Sequence, residues 1–238
     1  MKERPNEHAR LANFEFDALR AADNYRRALL QEFAPYAQGR VIEVGAGIGQ
    51  ITELLRRMPG IQYLVSIEPD AAFCQEFRKA FPGQPLIQGT IDSLVDPQPW
   101  NAAVSINVLE HIREDEHELF IYHKLLQPEK GWLCLFVPAR MEIYSPLDRD
   151  FGHHRRYSKA GLRQKLEQAG FEIRRLDYFN CVGYFAWWLS FCLLRKRGMH
   201  AKAVLLFDRI VFPAVYAFET RVLTPPFGQS LIAIARAR

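Results

Sequence analysis

Apolar residues recur at helical spacing from about residue 11 to 33, with charges between them, until Pro35 and Gly39 stop the pattern. That spacing predicts a leading helix. Beyond it, short apolar runs alternate with amphipathic ones: strands over 40–44, 63–67 and 85–88, and helices over 50–58 and 70–81. A strand over 102–106, a helix over 114–126 and a strand over 132–137 continue the alternation. Ser158 then caps a helix that ends at Ala169-Gly170, and a strand over 171–178 follows. The apolar run 230–235 supplies a seventh strand, so the stretch from about Asn180 to Gly228 is an insertion before it.

Strands that alternate with helices in this way imply an α/β fold, with a mostly parallel sheet covered on both faces. The expected organisation is one domain over 1–238. It comprises a helical cap (1–38), a core (39–180), an apolar helical insertion (181–228) and the last strand (229–238).

Composition narrows the classes. With 49% hydrophobic and 24% charged residues among 238, the chain suits one globular domain and excludes global disorder. The net charge of +4 is spread singly or in short pairs, Arg195-Lys196-Arg197 being the densest run, which argues against a nucleic-acid partner. The four cysteines form no C-x-x-C pair, and the first residues hold no apolar signal core, so a cytoplasmic location is expected.

Gly45, Gly47 and Gly49 occupy alternate positions between a buried strand and a helix, where the backbone must turn tightly and admit a ligand closely. A dinucleotide fingerprint begun at Gly45 would need its third glycine at Gln50. Glu43, two residues before the first glycine, would repel a diphosphate and attract a ligand bearing an ammonium or sulfonium. About twenty residues further on, Glu68 ends the second strand, where its carboxylate can accept hydrogen bonds from a ribose. Capping helices or facing solvent are the ordinary alternatives for both acids.

The stretch Glu43-Val44-Gly45-Ala46-Gly47-Ile48-Gly49 resembles the cofactor loop of class I S-adenosylmethionine-dependent methyltransferases, and the likeness runs from about Tyr25 to Phe179. The resemblance implies a Rossmann-like seven-stranded sheet whose last strand is antiparallel. It implies that Gly45, Gly47 and Gly49 hold the methionine half of S-adenosylmethionine, that Glu68 holds the ribose, that Thr90 and Ile91 lie where the adenine packs, and that Glu43, Ala46, Gln50 and Pro69 also belong to the cofactor site. Asn107-Val108-Leu109-Glu110-His111 is similar to the family segment along the cofactor, which places Asn107 and Leu109 against it. Tyr25 matches an aromatic residue that closes the site, with packing on the sheet edge as its alternative.

Methyl transfer needs an acceptor in line with the methyl group, and a general base only where the acceptor carries a proton. Gly152-His153-His154-Arg155-Arg156-Tyr157 falls between the fifth strand and the Ser158-capped helix, at the carboxyl edge where ligands bind. His153 or His154 is a candidate base, Arg155 or Arg156 an anion holder, and Tyr157 an orienting group. A basic loop paired with Asp148 and Asp150 is the competing reading. Glu110-His111 resembles part of a Glu-x-x-Glu-His metal pattern, but Asn107 replaces its first carboxylate, so no metal is expected and His111 is a further candidate base.

Residues 181–194 read CVGYFAWWLSFCLL, too short to span a bilayer, and residues 203–207 and 210–218 add a second apolar stretch. Such helices wall an apolar pocket, dip into a membrane surface, or pack as core or as a dimer interface. The leading expectation is methylation of a small, apolar or lipid-like acceptor. Methylation of RNA or protein, a non-catalytic membrane-associated partner and an NAD-dependent oxidoreductase are the rivals.

Overall fold

A computed structural model of the chain describes residues 22–96, 98–196, 198, 201–221 and 224–238. The first part of the expected leading helix lies outside these residues. Its second part is α1 (Asp23–Phe33), and the chain then alternates β1 (Gly39–Val44), α2 (Thr52–Leu55), β2 (Ile61–Glu68), α3 (Ala71–Ala80), β3 (Leu86–Gln88) and β4 (Ala102–Ile106). There follow α4 (Asp115–Leu126), β5 (Trp132–Pro138), α5 (Pro146–Asp150), α6 (Lys159–Gln168) and β6 (Phe171–Phe179). The insertion holds α7 (Cys181–Trp187), α8 (Ala201–Leu206) and α9 (Phe212–Arg221), and β7 (Ser230–Ala237) ends the chain.

The seven strands form one Rossmann-like sheet in the order β3-β2-β1-β4-β5-β7-β6. All pairs are parallel except those of β7, which runs antiparallel to both β5 and β6. Strand order reverses between β1 and β4, and in such sheets ligands bind in the crevice beyond the carboxyl ends at that switch point.

Side chains alternate between two cores, as a strand's period of two requires. Ile42, Ala103, Leu133 and Leu135 face α4 and α6, whereas Val41, Ala102, Val104 and Phe136 face α1 and Phe212 of α9. The insertion is therefore part of the second core. Among the described residues no helix is long and apolar enough to cross a membrane.

Two elements differ from the sequence expectation. The helix expected over 50–58 shrinks to the four residues of α2, because Gly47 and Gly49 hold left-handed backbone before it and Pro59-Gly60 follow it. α5 was not expected. It is started by Ser145, whose hydroxyl accepts the Asp148 N–H while the Asp148 carboxylate accepts the Ser145 N–H, with Pro146 in the first turn.

Candidate active site

The glycine loop follows directly from β1. Gly45, Gly47 and Gly49 all have left-handed φ, at 74°, 54° and 91°. The amides of Gly45 and Ala46 donate to Ile67 O at the end of β2, and Gly47 N–H donates to Glu68 Oε2 at 2.8 Å. A Cβ on Gly45 would lie 2.3 Å from Val108 Cγ2, so the loop presses backbone against the segment after β4.

Both acids expected at the strand ends are buried beside this loop. Glu43 Oε2 accepts from the Thr52 and Ser66 hydroxyls, each at 2.7 Å, which ties α2 and β2 to β1. Glu43 Oε1 is buried with no hydrogen-bond partner among the described residues. Burial pushes the Glu43 carboxyl up to about 7 despite those hydroxyls, and the nearby Glu68 charge adds to the rise. Burial likewise raises Glu68, while the amides of Asp70 and Gly47 oppose the rise by donating to its two oxygens. A buried carboxylate oxygen lacking a donor suits a cationic ligand, and the loop beside it is bare backbone, so these residues fit a sulfonium- and ammonium-bearing cofactor.

The remaining expected cofactor residues divide by depth. Pro69 and Thr90 are exposed, whereas Ile91 and Leu109 are core side chains. Asn107 takes left-handed backbone at φ 53°, lines the main cavity and donates its amide to Phe136 O. Gln50 O accepts from the buried Arg26 of α1, which brings the leading helix onto the loop. Tyr25 packs edge-on against Phe136 and Phe179 and also lines the cavity, so closing the site and packing on the sheet coexist in one ring.

This cavity, about 440 Å³, opens beside Asn107 between the carboxyl ends of the strands and the insertion. Trp187 and Phe191 of the first insertion segment and Val204, Phe207 and Asp208 of the second form its wall. Near the cavity the helices widen into π turns over Trp188–Leu193 and Phe207–Val211, a distortion often found at functional sites. Most of the exposed lining is apolar, with His153, Arg156 and Asn180 among the polar groups.

The five polar positions expected in the His-Arg loop part company. His153 is buried, lines the cavity and places Nδ1 3.1 Å from Asp148 Oδ1. Its Nε2 lies 3.9 Å from Glu110 Oε1. Arg156 is buried too, binding Asp148 through Nε and Nη2 and lying 4.6 Å over the Trp187 ring. The Asp148 carboxyl is held below its ordinary range: burial raises it, but His153, Arg156 and the Ser145 amide outweigh that.

Four other expected residues are placed as follows. His154 is exposed and is not among the residues that line the cavity, and its amide donates to Glu110 O. Tyr157 turns into the core, where its hydroxyl lies 2.8 Å from Asp115 Oδ2 and 3.1 Å from Leu109 O. Arg155 pairs with Asp115 at 2.8 Å. His111 packs edge-on against His153, and burial, then the neighbouring His153 and His154, lower its pKa to about 3. An imidazole so reluctant to take a proton is a poor general base.

Two features go beyond the sequence, where only the Glu110-His111 part of the first is visible and no metal is expected. Glu110, His111 and His153 offer a carboxylate oxygen and two imidazole nitrogens all within 4.8 Å of one another, a spacing that a divalent ion spans. Asp208, from the insertion, accepts the backbone N–H groups of Asn24 and Tyr25 at 3.0 and 2.9 Å, capping α1 from 184 residues away. Its only sequence signal is that Asp208 and Glu219 are the sole acids between Cys181 and Arg221.

A family model described as a methyltransferase domain matches residues 15–176. No curated protein matches the chain significantly. Among solved structures, a Haloferax volcanii methyltransferase, determined with the Trm112 methyltransferase activator, aligns with TM-score 0.63 at 14% identity over 99% of both chains. DhpI in complex with SAH aligns with TM-score 0.61 at 14% identity over 98% of this chain and 93% of its own. An S-adenosylmethionine-dependent methyltransferase from Mesorhizobium loti aligns with TM-score 0.57 at 17% identity, over 91% and 97% respectively. At such identities the likeness is one of fold.

Proposed function

The chain belongs to the methyltransferase-domain family and is a class I S-adenosylmethionine-dependent methyltransferase, and from that premise we propose that it methylates a small apolar acceptor bound between His153 and the insertion. The observation that carries this reading is the cavity itself: about 440 Å³, largely apolar, walled by the insertion and bordered by Asn107 and His153. Pockets of this size and lining take small molecules and bury most of their surface.

When bound, the cofactor supplies an electrophilic methyl group. The protein's part is to hold donor and acceptor in line and to exclude water. The glycine loop, with Gly45, Ala46, Gly47 and Gly49, leaves backbone room for the methionine half, and the partnerless Glu43 Oε1 supplies negative charge beside it. Glu68 stands at the end of β2 with both oxygens on loop amides and a second lone pair on each for ribose hydroxyls. Thr90 and Pro69 form an exposed rim suited to the adenine side. Tyr25 and Phe136 close the apolar wall where the acceptor meets the loop.

For an acceptor that carries a proton, His153 is the general base. Asp148, 3.1 Å from Nδ1, orients the ring, and with the hydrogen on Nδ1 the basic nitrogen is Nε2, buried 3.9 Å from Glu110. A positive charge gained by the ring is balanced by Asp148 on one side and Glu110 on the other. Arg156 keeps Asp148 ionised and is a positioning residue.

One observation favours a second reading, in which a divalent ion held by Glu110, His111 and His153 polarises the acceptor. Transfer that persists in excess chelator removes it, and transfer lost to chelator and restored by a divalent ion supports it.

The acceptor reading is tested with methyl-labelled cofactor and two homologous series, 4-alkylphenols and alkylamines. One series should show kcat/KM rising about fourfold for each methylene that the cavity buries. Rates independent of chain length in both series contradict an apolar acceptor. We assign no nucleic-acid partner, since the net charge of +4 is spread singly or in short pairs along the sequence and the cavity is largely apolar.

A further inference from the structure

The insertion helices have two dissimilar faces, and the cavity uses only one. Trp187 and Phe191, four residues apart, point inward onto Ile143 and Leu147. Phe185, Trp188, Leu189 and Leu193, also at helical spacing, are exposed, and so are Leu206 and Ile210 on the second segment. These are large side chains left in water: Ile210 is 65% exposed and Leu206 60%. Large apolar side chains exposed together on neighbouring helices signal a surface that meets a partner.

Charge selects the partner. The only acids between Cys181 and Arg221 are Asp208 and Glu219, and both are turned inward. Asp208 caps α1, and Glu219 accepts the backbone N–H groups of Asn180 and Cys181 at 2.9 and 2.6 Å, at the start of α7. Arg195, Lys202, Arg209 and Arg221 are exposed, and Lys196, exposed too, lines the cavity instead. The outer face is thus apolar with basic groups and no acid among its described residues. Pairing it with a second copy would set like charges together, whereas an anionic bilayer takes up both features: apolar side chains and an exposed tryptophan enter the headgroup boundary, and basic groups meet lipid phosphates.

We propose that the outer face of the insertion, centred on Phe185, Trp188, Leu193, Leu206 and Ile210, docks the protein onto the surface of an anionic lipid bilayer. The helices lie along the interface without spanning it, consistent with their length. The inference stands apart from the acceptor's identity, because it rests on the face turned away from the cavity.

Flotation of the full chain tests it, using vesicles of phosphatidylcholine alone and vesicles containing 30 mol% phosphatidylglycerol, with tryptophan emission recorded in parallel. The expected result is binding to the anionic vesicles at least tenfold tighter than to the neutral ones, with a blue shift. Leu193→Glu/Ile210→Glu should abolish binding while circular dichroism and thermal unfolding stay those of the wild type, since both side chains are solvent-exposed. Lys202→Gln/Arg209→Gln should weaken binding to anionic vesicles roughly thirtyfold, at about 1 kcal/mol for each charge near the surface. Wild-type protein that floats with neither vesicle overturns the proposal, as does binding that survives Leu193→Glu/Ile210→Glu. Sedimentation showing a dimer that Ile210→Glu dissociates, without vesicle binding, assigns the face to a second copy and also overturns it.

Discussion

The glycine loop and the insertion both contact α1, yet they are built by opposite means. The loop is local: three left-handed glycines within five residues and two carboxylates that bind backbone and hydroxyl groups next to it. The insertion is held from afar, by Asp208 on α1 and by Tyr216, which binds Glu32 of α1. Backbone geometry defines the proposed donor side, whereas long-range pairing of a few polar groups positions the largely apolar wall proposed to hold the acceptor. A cofactor shared across a family needs the first arrangement, and an acceptor particular to one protein is served by the second.

Substitutions on either side sharpen this contrast. The largest effect is expected at His153, where His153→Gln should lower kcat by about a hundredfold or more for a proton-bearing acceptor, with cofactor affinity unchanged. Undiminished single-turnover transfer would remove the base. On the donor side, Gly45→Val adds a side chain that meets Val108 and forces strained φ, so cofactor-product affinity should fall about a hundredfold, at about 1–3 kcal/mol for the strain alone.

Glu43 gives a pH signature. Its folded pKa of about 7 exceeds the unfolded value of 4.5, so between those limits the native state binds more protons than the unfolded state. Stability from this group is therefore present below 4.5 and lost as pH rises towards 7, by something on the order of 2–3 kcal/mol. Denaturant titrations of Glu43→Gln should show that slope flattened, and an unchanged slope would place the proton elsewhere. The smallest effect belongs to the insertion side: Asp208→Ala should cost about 1–2 kcal/mol as a lost cap. Cofactor-product affinity should meanwhile stay within a few-fold of the wild type.

What the sequence makes legible follows the same division. Strands β1, β4 and β5 are buried on both faces, so their apolar runs stand out, and the strand expected over 102–106 matches β4 residue for residue. The three glycines announce the donor loop because no other residue suits that backbone. Neighbours in the His-Arg loop are harder to separate, since it is extended and consecutive side chains diverge: His153 reaches the cavity, His154 points to water, and Tyr157 enters the core. Asp208 capping α1 is illegible because 184 residues separate it from Asn24, and no periodicity encodes that contact. The start of α5 was readable, as Ser145-Pro146-Leu147-Asp148 carries a serine cap with an acid three residues on.

The central claim is that the glycine loop between Glu43 and Glu68 binds S-adenosylmethionine rather than a dinucleotide. Calorimetric titration with S-adenosylhomocysteine, and separately with NAD, tests it most directly. The account predicts saturable one-to-one binding of S-adenosylhomocysteine, lost in Gly45→Val, and no binding of NAD. Saturable binding of NAD with none of S-adenosylhomocysteine would contradict it.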